Sequence, residues 1–153
     1  MPAAFLIDAN VLVYALDTED PQKQSRSLEV LDLLRSEGSA AVSAQVLAEF
    51  FAAVTRKIAN PLSEQEALRQ VVAYADTFPV YDITLPIVLE AGRGVHEHEM
   101  SYWDAQVWAT AKLNQIPCVI TEDIQGRHRL EGVRFLNPFA KGFDLSLLRP
   151  RIE

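Results

Sequence analysis

Between Ala4 and Leu16 the chain reads AFLIDANVLVYAL, and this stretch limits what the rest can fold into more than any other. Phe5, Leu6 and Ile7 make an apolar run of the length and composition of a buried strand, which stops at a carboxylate, Asp8, followed by Ala9 and Asn10. Beyond them Val11, Leu12, Tyr14 and Ala15 recur at helical spacing. Strand, acidic turn and helix in succession suit an open α/β sheet, whose ligands bind outside the carboxyl ends of the strands. Asp8 stands at such an end. The same residue types suit a helix N-cap, with Asp8 or Asn10 accepting from the first amides, so this position alone does not separate function from capping.

The alternation continues along the chain. Thr18 to Pro21 is a polar turn, and the helix predicted from Gln22 to Arg35 carries Leu28, Leu31 and Leu34 on one stripe, closed by Gly38. Ala40 to Val42 is a short strand. Ser43 caps a second long helix with the stripe Val46, Leu47, Phe50, Phe51, Val54 and Ile58, ended by Asn60 and Pro61. Ser63 and Glu66 form a capping box that opens a helix through Leu68, Val71, Val72 and Ala75, and Thr77 to Tyr81 is the next strand. Thr84 with Pro86 opens a helix to about His98, and Ser101 caps another from Tyr102 to Asn114. Cys118 to Thr121 and Val133 to Leu136 are the last strands. Strands alternating with helices predict a mainly parallel sheet covered on both faces.

At 153 residues the chain fits one domain over 1–153, with a core of about 4–136 and a tail of 137–153. The tail holds Phe139, Phe143, Leu145, Leu147 and Leu148, enough apolar surface to pack on the domain or on a second copy. No apolar run approaches the roughly 18 residues that span a bilayer, and Met1 to Ile7 lacks the basic start and long apolar centre of a signal peptide. A cytoplasmic protein with no membrane partner is the expectation. The lone Cys118, in an apolar run, is an inert strand residue. A net charge of −7 argues against an anionic partner such as nucleic acid, but cations bound by a few of the 21 acids would offset much of it.

Three further acids lack a complete structural explanation. Glu49 sits at the edge of its helix's apolar stripe with Ala52 and Ala53 as its i+3 and i+4 neighbours, so no base pairs with it there, although taken alone a solvated Glu is the better reading, since Glu is usually exposed. Asp104 falls on the stripe of Val107, Trp108 and Ala111, where a carboxylate needs a partner; the competing reading is a capping box with Ser101. Asp123 follows its strand as Asp8 follows the first, in a turn that favours Asp anyway. Glu122 is adjacent and could substitute for Asp123, though a neighbouring position in a turn usually points elsewhere. Four acids at one sheet edge repel one another unless a cation joins them. Oxygen ligands without Cys or paired His select Mg²⁺ or Mn²⁺ over zinc, and such an ion would activate water for in-line displacement at a phosphodiester.

LIDANVL at Leu6 to Leu12, Ser43 with Glu49 in SAQVLAEFF, YWDAQVWATA around Asp104 and ITEDIQ around Asp123 together resemble a PIN domain, specifically the VapC-type ribonuclease toxins of toxin–antitoxin pairs. The resemblance spans about Ala4 to Leu136. It implies an α/β fold, a PIN-like three-layer α/β/α arrangement with a mainly parallel central sheet of four or five strands. It implies that Asp8, Glu49, Asp104 and Asp123 are the catalytic acids. Asp8 and Asp104 would be the principal metal ligands and Asp123 a further one, with Glu49 completing the pocket and Asn10, Ser43 and Thr121 orienting the acids. It also implies Mg²⁺-dependent cleavage of structured RNA such as tRNA or rRNA, a homodimer, and a VapB-like antitoxin whose tail enters the groove.

Arg127 and Arg129, with His128 between them, are candidates to grip RNA phosphates, though a charged loop is usually only solvated. His96 and His98 diverge on a helix and do not suggest zinc. Trp103 and Trp108 read as core residues. Two other functions remain open. A haloacid-dehalogenase-like phosphatase also ends its first strand in Asp but generally wants a second Asp where this chain has Asn10. A PIN-like module that binds RNA or protein without cutting is the other, against which the four intact acids argue.

Overall fold

The computed structural model describes residues 3–149; residues 1, 2 and 150–153, which the expected domain span and tail include, lie outside the described residues. The strands are β1 (Phe5–Ile7), β2 (Ala40–Ser43), β3 (Val80–Tyr81), β4 (Cys118–Ile120), β5 (Arg129–Leu130) and β6 (Val133–Leu136). The helices are α1 (Ala9–Tyr14), α2 (Pro21–Glu37), α3 (Ala44–Val54), α4 (Glu64–Thr77), α5 (Leu85–His98) and α6 (Tyr102–Leu113), with a 3₁₀ turn at Leu145–Leu148. The strands form one sheet in the order β3-β2-β1-β4-β6-β5. All pairs are parallel except β5 with β6.

Alternation along β1 divides the core. Phe5 and Ile7 pack with Leu12, Val30, Leu34, Val46 and Phe50, whereas Leu6 packs on the opposite face with Ile87, Trp108 and Val119. That makes three layers. The strand order runs from β1 outward in both directions, so the sheet has its switch point between β1 and β4, where the carboxyl ends of parallel strands open a crevice. Register pairs Ile7 with Ile120, so the chain leaves the two strands side by side at Asp8 and Thr121.

Six strands replace the four or five expected. The additional edge strand β5 turns back onto β6 through Glu131 and Gly132, both at positive φ (45° and 87°), a two-residue hairpin loop. Glu-Gly lacks the Asn or Asp that normally marks such a turn, so the sequence pattern passes over it. Only Val80 and Tyr81 of the predicted strand pair with β2, because α4 runs on through Thr77, whose hydroxyl donates to the Ala73 carbonyl. Likewise α3 ends at Val54 rather than at Asn60, with the Thr55 hydroxyl donating to the Phe51 carbonyl. Gly38 closes α2 in the left-handed conformation, φ 62°, as the sequence predicts.

Two apolar stripes bury less than expected. Leu28 (52%) on α2 is exposed, and so are Leu68 (56%) and Val72 (57%) on α4, which packs against α3 and buries fully, among its residues, only the small Ala67. Trp103 is 60% exposed in the first turn of α6, ahead of the buried run 105–111, so it is not a core residue. Trp108 is fully buried and its indole N–H donates to the Leu130 carbonyl. Gly94 lets α5 approach it: a Cβ at that position would sit 2.9 Å from Trp108 Cζ3. Around this contact Arg93 pairs with Glu90, Glu97 and Glu131, and Lys112 bridges Glu90 and Glu131. The described tail packs on its own domain through Phe139, Phe143, Leu145 and the fully buried Leu148, while Leu147 stays 47% exposed. No helix among the described residues is long and apolar enough to cross a membrane.

Candidate active site

Asp8 is buried at the switch point and both its oxygens are directed. Oδ1 accepts from the Ala9 N–H at 2.8 Å, the N-cap role expected of it, and Oδ2 accepts from the Thr121 hydroxyl at 2.8 Å. That second bond is backed from behind. The Glu122 N–H donates to Asn10 Oδ1 at 3.1 Å, which sets the amide so that Asn10 Nδ2 donates to Thr121 Oγ1 at 3.2 Å. The Thr121 hydroxyl accepts that N–H and gives its own hydrogen to Asp8, the nearer of its two acceptors, the Asp123 carbonyl standing at 3.5 Å. Asn10 and Thr121 thus hydrogen-bond toward Asp8 through neighbouring ends of β1 and β4. The amide at position 10 has both arms engaged in this work.

Glu49 approaches from α3. Ser43, fully buried, caps that helix by accepting from the Val46 N–H at 3.2 Å, and so sets the helix rather than touching an acid. Gln45, one turn before Glu49, donates through Nε2 to Glu49 Oε1 at 3.3 Å and to the Trp103 carbonyl at 3.0 Å, tying α3 to the first turn of α6 beside Asp104. Gln45 was not singled out from the sequence, although its place four residues before Glu49 is a helical neighbour's. Beside Glu49 lies a cleft of about 400 Å³ between α1 and α3, lined by Asn10, Val13, Ala52, Ala53 and Lys57.

Asp104 is half-buried, at the rim of the site rather than inside the core stripe, and Ser101 makes no side-chain cap to the helix backbone. The capping-box reading therefore lapses for α6. Asp123 is exposed and its Oδ1 accepts from the Gly126 N–H at 2.8 Å, the ordinary turn contact. Glu122 turns away: Oε2 is 2.6 Å from Lys23 Nζ and Oε1 accepts from the Tyr14 hydroxyl at 2.8 Å.

Electrostatics link the four acids. Burial raises the pKa of Asp8 above the usual carboxylate range, against the lowering effect of the Thr121 and Ala9 bonds, and the Asp104 charge raises it further. Burial likewise raises Glu49; Gln45 opposes, and the charges of Asp8 and Asp104 add to the rise. Asp104 is raised by burial, lowered by Ser101 and raised by Asp123. Every one of these three carboxylates is raised by a neighbouring acid, and Lys57 alone, acting on Glu49, is a basic influence among the causes. The donor set is all oxygen. Among the described residues no three His, Cys, Asp or Glu side chains form a ready-made metal-binding group. Asp8, Asp104 and Asp123 are therefore not a closed cage, and the set fits an ion that takes one or two carboxylates and keeps several waters, as Mg²⁺ does.

The basic candidates are placed differently. Arg127 donates through Nη2 to the His98 carbonyl at the end of α5 and has a buried, unpartnered Nε, while Arg129 is exposed on β5. His96 is exposed and His98 pairs with Glu131, so the two histidines diverge as expected. Cys118 is buried in β4, its thiol pushed up to about 12 by burial.

Known proteins match this arrangement at the level of fold. The chain is similar to VapBC2 from Rickettsia felis bound to a promoter DNA fragment (TM-score 0.61, 17% identity, 86% of this chain and 96% of that one). It is similar to FitAcB from Neisseria gonorrhoeae (TM-score 0.61, 21% identity, 88% and 98%). It is also similar to VapC20 from Mycobacterium tuberculosis, a sarcin–ricin loop cleaving toxin (TM-score 0.55, 17% identity, 75% and 86%). No curated protein matches the sequence. The family model of the PIN domain matches residues 5–129, from the first residue of β1 to the first of β5, and so takes in all four acids. The chain belongs to the PIN-domain family.

Proposed function

We propose that this protein is a divalent-metal-dependent endoribonuclease, the toxin of a VapBC-type toxin–antitoxin pair. The observation that carries the reading is a buried Asp8 with the half-buried Glu49 and Asp104 near the switch point of a parallel sheet, where the Asp104 charge raises Asp8 and the charges of both raise Glu49. Carboxylates that raise one another's pKa cost stability, and a bound cation offsets that cost. The fold neighbours support the rest: several are toxin–antitoxin complexes, and one is described as a sarcin–ricin loop cleaving toxin.

Asp8 and Asp104 would hold Mg²⁺ or Mn²⁺, with Asp123 at the rim. When bound, the ion supplies an activated water and screens the charge that grows on the phosphate. Thr121 and Ala9 keep the Asp8 carboxylate oriented as a ligand. Glu49, whose raised pKa suits a proton acceptor, takes the proton of the attacking water as one phosphorus–oxygen ester bond breaks and the departing ribose oxygen takes a proton from solvent. The cleft between α1 and α3 receives the nucleotide next to the scissile phosphate, with Lys57 toward its backbone. A VapB-like antitoxin is the partner, and the active form is a homodimer.

Incubation of the protein with total RNA in Mg²⁺ or Mn²⁺, followed by mapping of the ends, tests this. Attack by water leaves no 2′,3′-cyclic phosphate, so cut ends free of it, formed only with the ion and abolished by chelation, are the expected result. Cleavage that persists in a chelator, or RNA binding with no cleavage under any divalent ion, contradicts it.

A further inference from the structure

Where α1 and α2 meet the turn after β4, three side chains have no part in the chemistry above. Lys23 Nζ lies 2.6 Å from Glu122 Oε2. The Tyr14 hydroxyl donates to Glu122 Oε1 at 2.8 Å, and Lys23 Nζ donates to the Tyr14 hydroxyl at 3.3 Å. The three close into a ring, with Phe139 of the tail packed edge-on against Tyr14 at 4.9 Å between centroids. Exposed ion pairs seldom matter, but this one is only about one-third exposed and is shared with a third group that spans a second helix.

What the ring grips decides its meaning. Glu122 is the residue whose backbone N–H donates to Asn10 Oδ1. From there Asn10 Nδ2 donates to Thr121 Oγ1, and Thr121 Oγ1 donates to Asp8 Oδ2. Hydrogen bonds and one residue's own backbone thus run unbroken from Lys23, on the outside of α2, to a buried metal-ligand candidate. Each link steadies the next: without the Glu122 N–H, the Asn10 amide is free to turn over. Thr121 then loses the donor that holds its hydroxyl in place, and its hydrogen can swing from Asp8 to the Asp123 carbonyl 3.5 Å away. Glu122 itself has both oxygens engaged and is not placed as a ligand.

We propose that Lys23, Tyr14 and Glu122 form a clamp that orients Asp8 through Asn10 and Thr121, which makes them positioning residues of the site. The consequence for catalysis rests on the nuclease reading above; the geometric claim does not.

The test uses the full chain and two readouts: solvent exchange of the Asn10 side-chain amide protons by NMR, and RNA cleavage kinetics in Mg²⁺. Lys23→Met and Tyr14→Phe, which keep length and ring, should each speed Asn10 amide exchange by about tenfold. Each should also lower kcat by about tenfold with KM unchanged, the effect of losing roughly one hydrogen bond. Lys23→Arg should restore most of both. Arg35→Ala, which removes the exposed pair with Asp32 on the same helix, should leave both at wild-type values. Folded Lys23→Met and Tyr14→Phe proteins with wild-type Asn10 exchange overturn the clamp. So does a loss of thermal stability without any change in exchange or kcat, since that is a merely structural pair. If the wild-type protein cuts no RNA, the nuclease reading fails and the exchange measurement alone decides the clamp.

Discussion

The Thr121 hydroxyl, 113 positions along the chain from Asp8, donates to its Oδ2 at 2.8 Å. The contact exists because Ile7 and Ile120 are in register on adjacent parallel strands, so the residues that follow them leave the sheet together. Thr121→Val keeps the shape and removes the donor, leaving a buried carboxylate oxygen and the Asn10 amide each short of a partner. The expected cost is about 1–3 kcal/mol of stability, with RNA cleavage reduced at least about tenfold. Thr121→Ser should retain most of both, as denaturant titration and cleavage rates will show.

The pH dependence of stability separates the acidic site from the outer ion network. Asp8, Glu49 and Asp104 have pKa values raised in the folded chain, so between their ordinary values of 3.8 and 4.5 and their folded values the native state binds more protons. Their contribution therefore weakens as pH rises through that window. Glu131 runs the other way. Arg93 holds its carboxyl down to about 2, so its contribution is full above 4.5 and fades as pH falls toward about 2. Added Mg²⁺ should raise Tm more at about pH 7.5 than at about pH 4.5, because it binds the ionised carboxylates. Calorimetry showing an equal shift at both values contradicts this.

Neutralising a rim acid should cost little when no metal is bound. Asp104→Asn removes a charge that raises Asp8 and Glu49, so in chelator its stability should match the wild type within about 0.5 kcal/mol or exceed it. The same variant should lose the stabilisation that Mg²⁺ confers. A variant clearly less stable in chelator would mean that Asp104 is held by structural contacts instead.

Gly94 tests the packing that supports α6 and hence Asp104. Gly94→Ala places a Cβ 2.9 Å from Trp108 Cζ3 and 3.2 Å from Met100 Sδ, and the fully buried indole cannot retreat into solvent. About 1–3 kcal/mol should be lost by overpacking, measured by denaturant titration.

Much of this was legible in the sequence because local pattern and global fold agree. An apolar triplet followed by Asp marks β1 and its exit, Gly38 marks the end of α2, and Ser43 the start of α3. Asp8, Asp104 and Asp123 stood out because each sits where a strand ends or a helix begins, and Glu49, inside α3, because no base lies three or four residues on. The rest depended on contacts that periodicity does not encode. Leu68 and Val72 lie on a helical apolar face, yet α4 meets only a narrow strip of α3, so the face stays open. Trp103 has a core residue's chemistry in a position the sheet does not reach. Lys23 and Glu122, 99 positions apart, become partners only through the strand order. That Asp123 accepts from Gly126 follows from turn chemistry, whereas the weak convergence of the acids into a ligand group follows from side-chain placement, on which sequence spacing is silent.

The central claim is that acids from distant parts of the chain act as one cation-binding pocket, and Mn²⁺ binding tests it most directly. Titration of the purified protein followed by calorimetry or electron paramagnetic resonance should show a carboxylate site whose affinity falls at least about tenfold in both Asp8→Asn and Asp104→Asn, in step with RNA cleavage. Wild-type Mn²⁺ affinity in both variants, with RNA cut at the wild-type rate, would contradict the account.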